Sequence, residues 1–278
     1  MSVPTACVIG WPIRHSRSPL IHRHWLAKLG IAGDYVAVPV EPAAVDAFLK
    51  NDLRSRYVGG NVTVPHKEVA LSAVAEADAV AAALGAVNTL WFESDRLIGG
   101  NTDPHGFLAN LDENAPGWSG AGKSAIVLGA GGAARAVIWA LRERGFEPVI
   151  VVNRTADRAA ALAARFGKAV RPAEWSGLGG WLARADLLVN ATSLGMSGQP
   201  ALAIDLSPMN DAAIVADLVY APLETDLLRA ARRRSLTAVD GLGMLLHQAA
   251  PGFERWFGRR PQVTRELRDL VIADLAGA

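Results

Sequence analysis

The chain has 278 residues, 51% of them hydrophobic and 20% charged, with a formal net charge of +1. That length suits one large or two ordinary domains, the apolar fraction excludes a disordered chain, and the charge balance argues against broad attraction to nucleic acid or an anionic membrane. No apolar run reaches the roughly 18–20 residues of a membrane span, the first residues lack a signal peptide's basic n-region, and a lone cysteine, Cys7, forbids an intrachain disulfide and suits a reducing cytoplasm.

In chain order, "ACVIG" and "DYVAVPV" read as β-branched strands flanking a helix, "SPLIHRHWLAKLG". A second helix, "EPAAVDAFLKNDL", leads to a strand, "YVGGNVTVP", and then to helical sequence from His66 to Leu84. "NTLWFESDRLIGGNTD" predicts a hairpin turning near Ser94 and Asp95, and residues 111–124 have the Pro, Gly, Ser and Asn content of a linker or exposed loop. A second alternating series follows: strand "SAIVLG", helix 132–144, strand "PVIVVN", helix 155–166, strands "DLLVNA" and "AIVADLVY", and helix 224–234. Arg232, Arg233 and Arg234 end that last helix, where cations complement the dipole. Helices are expected around 242–257 and 262–276. Strands alternating with helices predict two α/β domains joined near residue 102, each built on a mainly parallel sheet. The six histidines have no metal-ligand spacing, so no metal is expected.

"AIVLGAGGAARAVIWAL" is a buried strand, a glycine turn and a helix. Gly129, Gly131 and Ala134 fill the G-x-G-x-x-[G/A] pattern, which permits a tight turn, lets a pyrophosphate approach the backbone at a helix N-terminus, and packs helix closely on strand. An NAD-binding chain usually places an acid at the end of the next strand to hold the ribose 2′-hydroxyl. Here that position reads Asn153, Arg154, Thr155, with Arg158 one turn on. Two guanidiniums and no carboxylate favour a 2′-phosphate, hence NADP; one charge-assisted contact of roughly 1.5–3 kcal/mol gives about 10- to 100-fold preference.

In "WPIRHSRSPLIHRHW", Ser18 is placed as N-cap with Pro19 at the first helical position, and Ser16 is a second hydroxyl beside the same free N–H groups, together a pocket for a carboxylate. Capping alone accounts for Ser18. Asn61 and Thr63 share one face of a strand that ends at Pro65. Lys67 follows in the first turn of a helix, where the dipole disfavours its charge by roughly 0.3–1 kcal/mol. In a pocket the same dipole suits it to proton transfer, which carbonyl reduction by hydride requires. Asp103, before Pro104, is a helix cap, a partner for Lys67, or both.

Taken together, "GWPIRHSRSP", "GGNVTVPHKE", "GAVNTL", "GGNTDPHGF", "GAGGAARA", "NRT", "NATSLGM", "DLVYAP" and "GLGMLLHQAAPGFERW" resemble the shikimate dehydrogenases over nearly the whole chain. The resemblance implies a substrate-binding domain over 1–102, a Rossmann-like NADP-binding domain over 103–238, and C-terminal helices, 239–278, packing back on the first domain. It implies NADP-linked reduction of 3-dehydroshikimate to shikimate, with Lys67 and Asp103 as the catalytic pair. It further implies substrate contacts from Ser16 and Ser18 to the carboxylate and from Asn61, Thr63, Asn88, Asp103 and Gln248 to ring hydroxyls. For the cofactor it implies Gly129, Ala130, Gly131, Gly132 and Ala133 at the phosphates, Asn153, Arg154, Thr155 and Arg158 at the 2′-phosphate, and Thr192, Ser193 and Met244 along the groove. Tyr220, counted with the substrate contacts, and Gly241 would lie near the nicotinamide.

Arg23 and the pair Pro104-His105 depart from the usual pattern. The rival readings are an NAD-using quinate/shikimate dehydrogenase, against which the serine pair and the basic "NRTADR" weigh, and an NADP-binding sensor without turnover, against which Lys67 and Asp103 weigh. The expected partner is a small molecule, with no nucleic acid or membrane, and the chain is expected to be a monomer or homodimer.

Overall fold

A computed structural model describes residues 3–120 and 122–277, and the chain divides into two units: Met1–Thr102 with Leu246–Ala278, and Asp103–Leu245. In the first unit, β1 (Thr5–Gly10) is followed by α1 (Ser18–Leu29), closed by left-handed Gly30, and by β2 (Asp34–Pro39). Residues 42–56 form an irregular helical run of 3-10, α and π turns. β3 (Gly59–Val62) comes next, then α2 (Lys67–Ala73). The continuous helix expected from His66 to Leu84 is broken. A short β4 (Glu76–Ala77) pairs with a later strand, and Asp78 restarts the chain as α3 (Ala79–Leu84) by accepting from the Ala81 N–H at 2.6 Å. Alanine-rich sequence favours helix on both sides of the break, and only the long-range pairing interrupts it.

β5 (Thr89–Glu93) and β6 (Arg96–Gly100) form the expected hairpin, with Ser94 left-handed at its turn. The six strands lie in the order β2-β1-β3-β5-β6-β4, parallel except at the β3–β5 and β5–β6 pairs. β1 is buried on both faces. Cys7 and Ile9 join Phe48, Leu53, Val62 and Leu90 on one side, while Ala6 and Val8 join Tyr35, Trp91 and Trp256 on the other. That is the period of two expected of a strand.

The second unit begins with α4 (Asp103–Asn114), which absorbs the first residues of the expected 111–124 linker; Ala121 lies outside the described residues. It continues as β7 (Ala125–Leu128), α5 (Gly132–Glu143), β8 (Val149–Val152), α6 (Ala156–Phe166), β9 (Val170–Ala173), α7 (Leu178–Leu182), β10 (Leu187–Asn190), β11 (Ile214–Asp217), α8 (Asp226–Arg233) and β12 (Thr237–Val239). The sheet is parallel throughout, in the order β12-β11-β10-β7-β8-β9, the doubly wound order of a dinucleotide-binding domain.

α9 (Leu242–Phe257) and α10 (Arg265–Ala276) end the chain, and the first unit resumes at Leu246, inside α9. Trp256 anchors α9 in that unit. Its indole N–H donates to the Leu90 carbonyl at 2.8 Å, and its ring occupies the space a Cβ on Gly59 would need.

Candidate active site

In the first unit the candidate substrate residues sit at strand and helix ends. Ser18 is not an N-cap: α1 begins at Ser18 itself, and Arg17 before it makes no side-chain cap. The hydroxyl of Ser16 serves instead, accepting from the Ser18 N–H at 3.3 Å. Ser16 is half-buried and Ser18 buried.

Asn61 is held at every polar atom. Its Oδ1 accepts from the Tyr35 hydroxyl at 2.7 Å, and its Nδ2 donates to the Asn88 carbonyl at 3.1 Å and to Thr89 Oγ1 at 3.2 Å. Asn88 is knotted in turn. Its Oδ1 accepts from the Thr102 N–H at 2.9 Å and the Thr89 hydroxyl at 2.8 Å. Thr63, two residues beyond Asn61, is half-buried, and its methyl lies 2.6 Å from where a Cβ on Gly10 would stand, so only glycine fits there. After the turn through Pro65, Lys67 opens α2, half-buried, with its carbonyl accepting from the Val87 N–H at 2.9 Å. Gln248 is half-buried on α9. Hydrogen bonds therefore tie Asn61 to Asn88 and Ser16 to Ser18, while Thr63 and Lys67 join them along the chain.

Behind Asn61 lies a column of rings. His22, fully buried, stacks on Tyr35 with centroids 4.0 Å apart and planes 10° apart, and on Phe253 at 5.9 Å and 9°. Neither ring nitrogen of His22 has a hydrogen-bond partner among the described residues. Burial pushes its pKa down to about 3, so it is neutral. Burial also pushes the Cys7 thiol up to about 12, which leaves it inert packing in β1.

In the second unit the glycine turn follows β7. Gly129 has φ +104, and a Cβ there would lie 2.9 Å from the Ala191 carbonyl oxygen, so that position demands glycine. Gly131 is the N-cap of α5, with no side chain satisfying the helix's first N–H groups, and a Cβ added at Gly131 or Gly132 would meet nothing within 4 Å. Ala130 is half-buried, Ala133 exposed and Ala134 fully buried against the sheet. Bare N–H groups, open space and a positive helix end together fit a pyrophosphate.

At the end of β8, Asn153 Nδ2 donates to the Thr155 carbonyl at 2.9 Å, shaping the turn into α6, of which Thr155 is the N-cap. Arg154 and Arg158 project from it, both exposed, and among the described residues neither has an ion-pair partner. No acid ends that strand, so the residues present fit a 2′-phosphate.

Beyond β10, Thr192 is half-buried and Ser193 exposed; beyond β11, Tyr220 is half-buried. Gly241 is buried, its backbone so close that a Cβ would stand 2.1 Å from the Leu218 oxygen, and Met244 is half-buried in α9. Asp103 is the first residue of α4, half-buried, and belongs to the second unit, whereas Lys67 belongs to the first.

Two polar groups of this sheet escaped the sequence reading. Asn190 and Asp217 end β10 and β11 as register partners and are 0% and 1% exposed. Tyr35 escaped it in the first unit. In each case the visible signal is a polar atom on a strand that otherwise reads as apolar. Among the described residues no group of three or more His, Cys, Asp or Glu could hold a metal ion, and no helix is long and apolar enough to cross a membrane.

Comparison with known proteins points to one family. Residues 8–90 match the shikimate dehydrogenase substrate binding domain, residues 113–202 the shikimate/quinate 5-dehydrogenase family, and residues 241–265 the shikimate 5′-dehydrogenase C-terminal domain. A shikimate dehydrogenase (NADP+) from Azorhizobium caulinodans is 58% identical over 269 residues, covering 97% of this chain and 96% of the relative. The crystal structure of the Thermus thermophilus shikimate 5-dehydrogenase with NADP(H) and shikimate superposes with a TM-score of 0.86 at 37% identity, over 99% of both chains. A quinate dehydrogenase from Corynebacterium glutamicum in complex with NAD gives 0.89 at 32%, over 98% of this chain and 99% of that one. Proteins named for either activity thus share the fold. Full-length identity well above half, together with three matched domain models, places the chain in the shikimate dehydrogenase family.

Proposed function

We propose that the chain interconverts 3-dehydroshikimate and shikimate with NADP(H), as an NADP-dependent shikimate dehydrogenase of aromatic amino-acid biosynthesis. The observation that carries this reading is the pair of exposed guanidiniums, Arg154 and Arg158, without an ion-pair partner among the described residues, after β8 and beside a glycine turn with open space above its helix. They favour NADP over the NAD of the quinate dehydrogenase whose fold is equally similar.

When bound, NADPH supplies a hydride to the substrate's carbonyl carbon. The chain's own groups do the rest. N–H groups at the start of α5 take the pyrophosphate, and Arg154 and Arg158 take the 2′-phosphate. Ser16 and Ser18 hold the substrate carboxylate: Ser16 Oγ accepts from the Ser18 N–H, and its own hydrogen remains to be donated to a ligand. Asn61, Thr63, Asn88 and Gln248 meet ring hydroxyls. Lys67 gives a proton to the carbonyl oxygen during reduction and takes it back in the reverse direction, with Asp103 holding and tuning it; such general acid–base help is typically worth about 10²- to 10⁴-fold. Thr192, Ser193, Gly241 and Met244 line the cofactor, with Tyr220 at the reacting end. The chain acts in the cytoplasm as a monomer or homodimer, a setting supported by its one buried thiol.

Absorbance at 340 nm tests this with shikimate or quinate offered against NADP⁺ or NAD⁺. Fast reduction with shikimate and NADP⁺ alone is expected. Comparable rates with quinate and NAD⁺ would move the chain to the other activity, and no rate with any pair would make it a binding protein without turnover.

A further inference from the structure

We infer that Asp217 and Asn190 are positioning residues for the cofactor, fixing as one unit the two loops that follow β10 and β11. The inference rests on the cofactor assignment proposed above. The two residues end adjacent parallel strands in register, at the C-terminal edge where sheets of this order bind ligands.

Every polar atom of the pair is used. Asn190 Nδ2 donates to Asp217 Oδ1 at 2.8 Å and to the Leu194 carbonyl at 3.1 Å, while its Oδ1 accepts from the Thr192 N–H at 3.0 Å and the Thr192 hydroxyl at 2.7 Å. The Thr192 oxygen in turn accepts from the Leu194 N–H at 3.1 Å. Asp217 Oδ1 accepts also from the Val219 N–H at 3.0 Å, and its Oδ2 accepts from the Thr225 hydroxyl at 2.7 Å.

One buried knot therefore sets Thr192 through Leu194 on one side and, with the Leu218 N–H donating to the Asn190 carbonyl at 2.9 Å, Leu218 and Val219 on the other. Gly241 rests on the Leu218 backbone, its N–H donating to the Val219 carbonyl at 3.3 Å, so its place follows from the same knot. Thr192, Ser193 and Gly241 are among the residues assigned above to line the cofactor.

Packing alone does not call for a carboxylate here. Burial raises the Asp217 pKa in spite of its three donors, and an apolar side chain of like volume often costs less than a buried charge. What an apolar side chain lacks is direction: it cannot hold the Val219 N–H, the Asn190 amide and the Thr225 hydroxyl at fixed angles. Positioning is the property that explains the charge.

Three variants test this by calorimetric titration with NADP⁺ alone, followed by steady-state kinetics. Asp217→Leu removes every acceptor and should weaken NADP⁺ binding by about tenfold or more, the size of one or more lost hydrogen bonds, with the shikimate KM within about twofold. Asp217→Asn should restore most of the affinity, since its oxygen keeps Val219 and Asn190 and its amide can donate to a rotated Thr225 hydroxyl. Thr225→Val removes one donor and the cap of α8, where Thr225 accepts from the Leu228 N–H. It should lower the melting temperature while leaving NADP⁺ affinity within about twofold. If Asp217→Leu does not fold, Asn190→Ala reads the same loss from the other end of the knot. Affinity unchanged in the folded variant, or falling in step with melting temperature in Thr225→Val as well, overturns the inference. Wild-type protein that fails to bind NADP⁺ overturns the cofactor assignment instead.

Discussion

The two sheets steady their strand-end polar groups by contrasting means. In the first unit the hydrogen bonds described join neutral groups: the Tyr35 phenol, the amides of Asn61 and Asn88, and the hydroxyls of Thr89 and Thr102, backed by a column of rings that includes neutral His22. In the second unit the network is built on a buried carboxylate, Asp217, with three donors. A neutral network costs less to bury, and it fixes the orientation of the groups proposed to meet substrate hydroxyls. A carboxylate costs more but grips its three donors at fixed angles, which suits loops proposed to line a large, flexible cofactor.

That contrast can be broken in graded steps. The largest effect is expected from Lys67→Met, which removes the only proposed proton donor of the first unit: turnover with shikimate should fall by about 10²- to 10⁴-fold with NADP⁺ binding unchanged, read by rapid kinetics and titration. A drop of less than tenfold would place the proton elsewhere.

Next comes acid stability. His22 takes a proton near 6.5 when unfolded but only near 3 when folded, so the unfolded chain binds the extra proton between those values. Its contribution is whole above about 6.5 and is lost as pH falls toward 3, of order several kcal/mol across the window. Denaturant midpoints measured from pH 7 to 4 should decline steeply in the wild type and more gently in His22→Phe. Parallel curves would mean that the ring is solvated.

Smaller again, Arg154→Ala should reduce the NADP-over-NAD ratio of kcat/KM by about 10- to 100-fold. The smallest change is expected from Tyr35→Phe. Ring stacking survives, one hydrogen bond to Asn61 is lost, and the shikimate KM should rise by about three- to tenfold.

Much of this arrangement is written in local sequence. The glycine turn after β7, the basic residues after β8 and the hairpin around Ser94 are legible because each depends on neighbours a few residues away. The same locality explains the failures. Residues 66–84 read as one helix because alanine favours helix, while the pairing of Glu76 and Ala77 with Ile98 and Gly99 is invisible from either side. Residues 170–173, "VRPA", do not look like a strand, since proline donates nothing to a ladder; the edge position of β9 tolerates it. Ser18 looks like a cap because serine before Pro19 usually is one, yet the helix starts one residue earlier and Ser16 takes over. Asn190 and Asp217 stand far apart in the chain and become one network only when β10 and β11 lie side by side. Tyr35 reaches Asn61 across β1, a contact that strand order alone creates.

The most direct test of the proposed division into a substrate network and a cofactor network is a crossed one: the shikimate and NADP⁺ KM values of Tyr35→Phe and Asp217→Leu, measured under identical conditions beside the wild type. Each variant should move the constant of its own ligand and leave the other within about twofold, less than the loss of a single hydrogen bond. Both constants rising together in both variants would contradict the account, because the two networks would then be serving general stability and not their separate ligands.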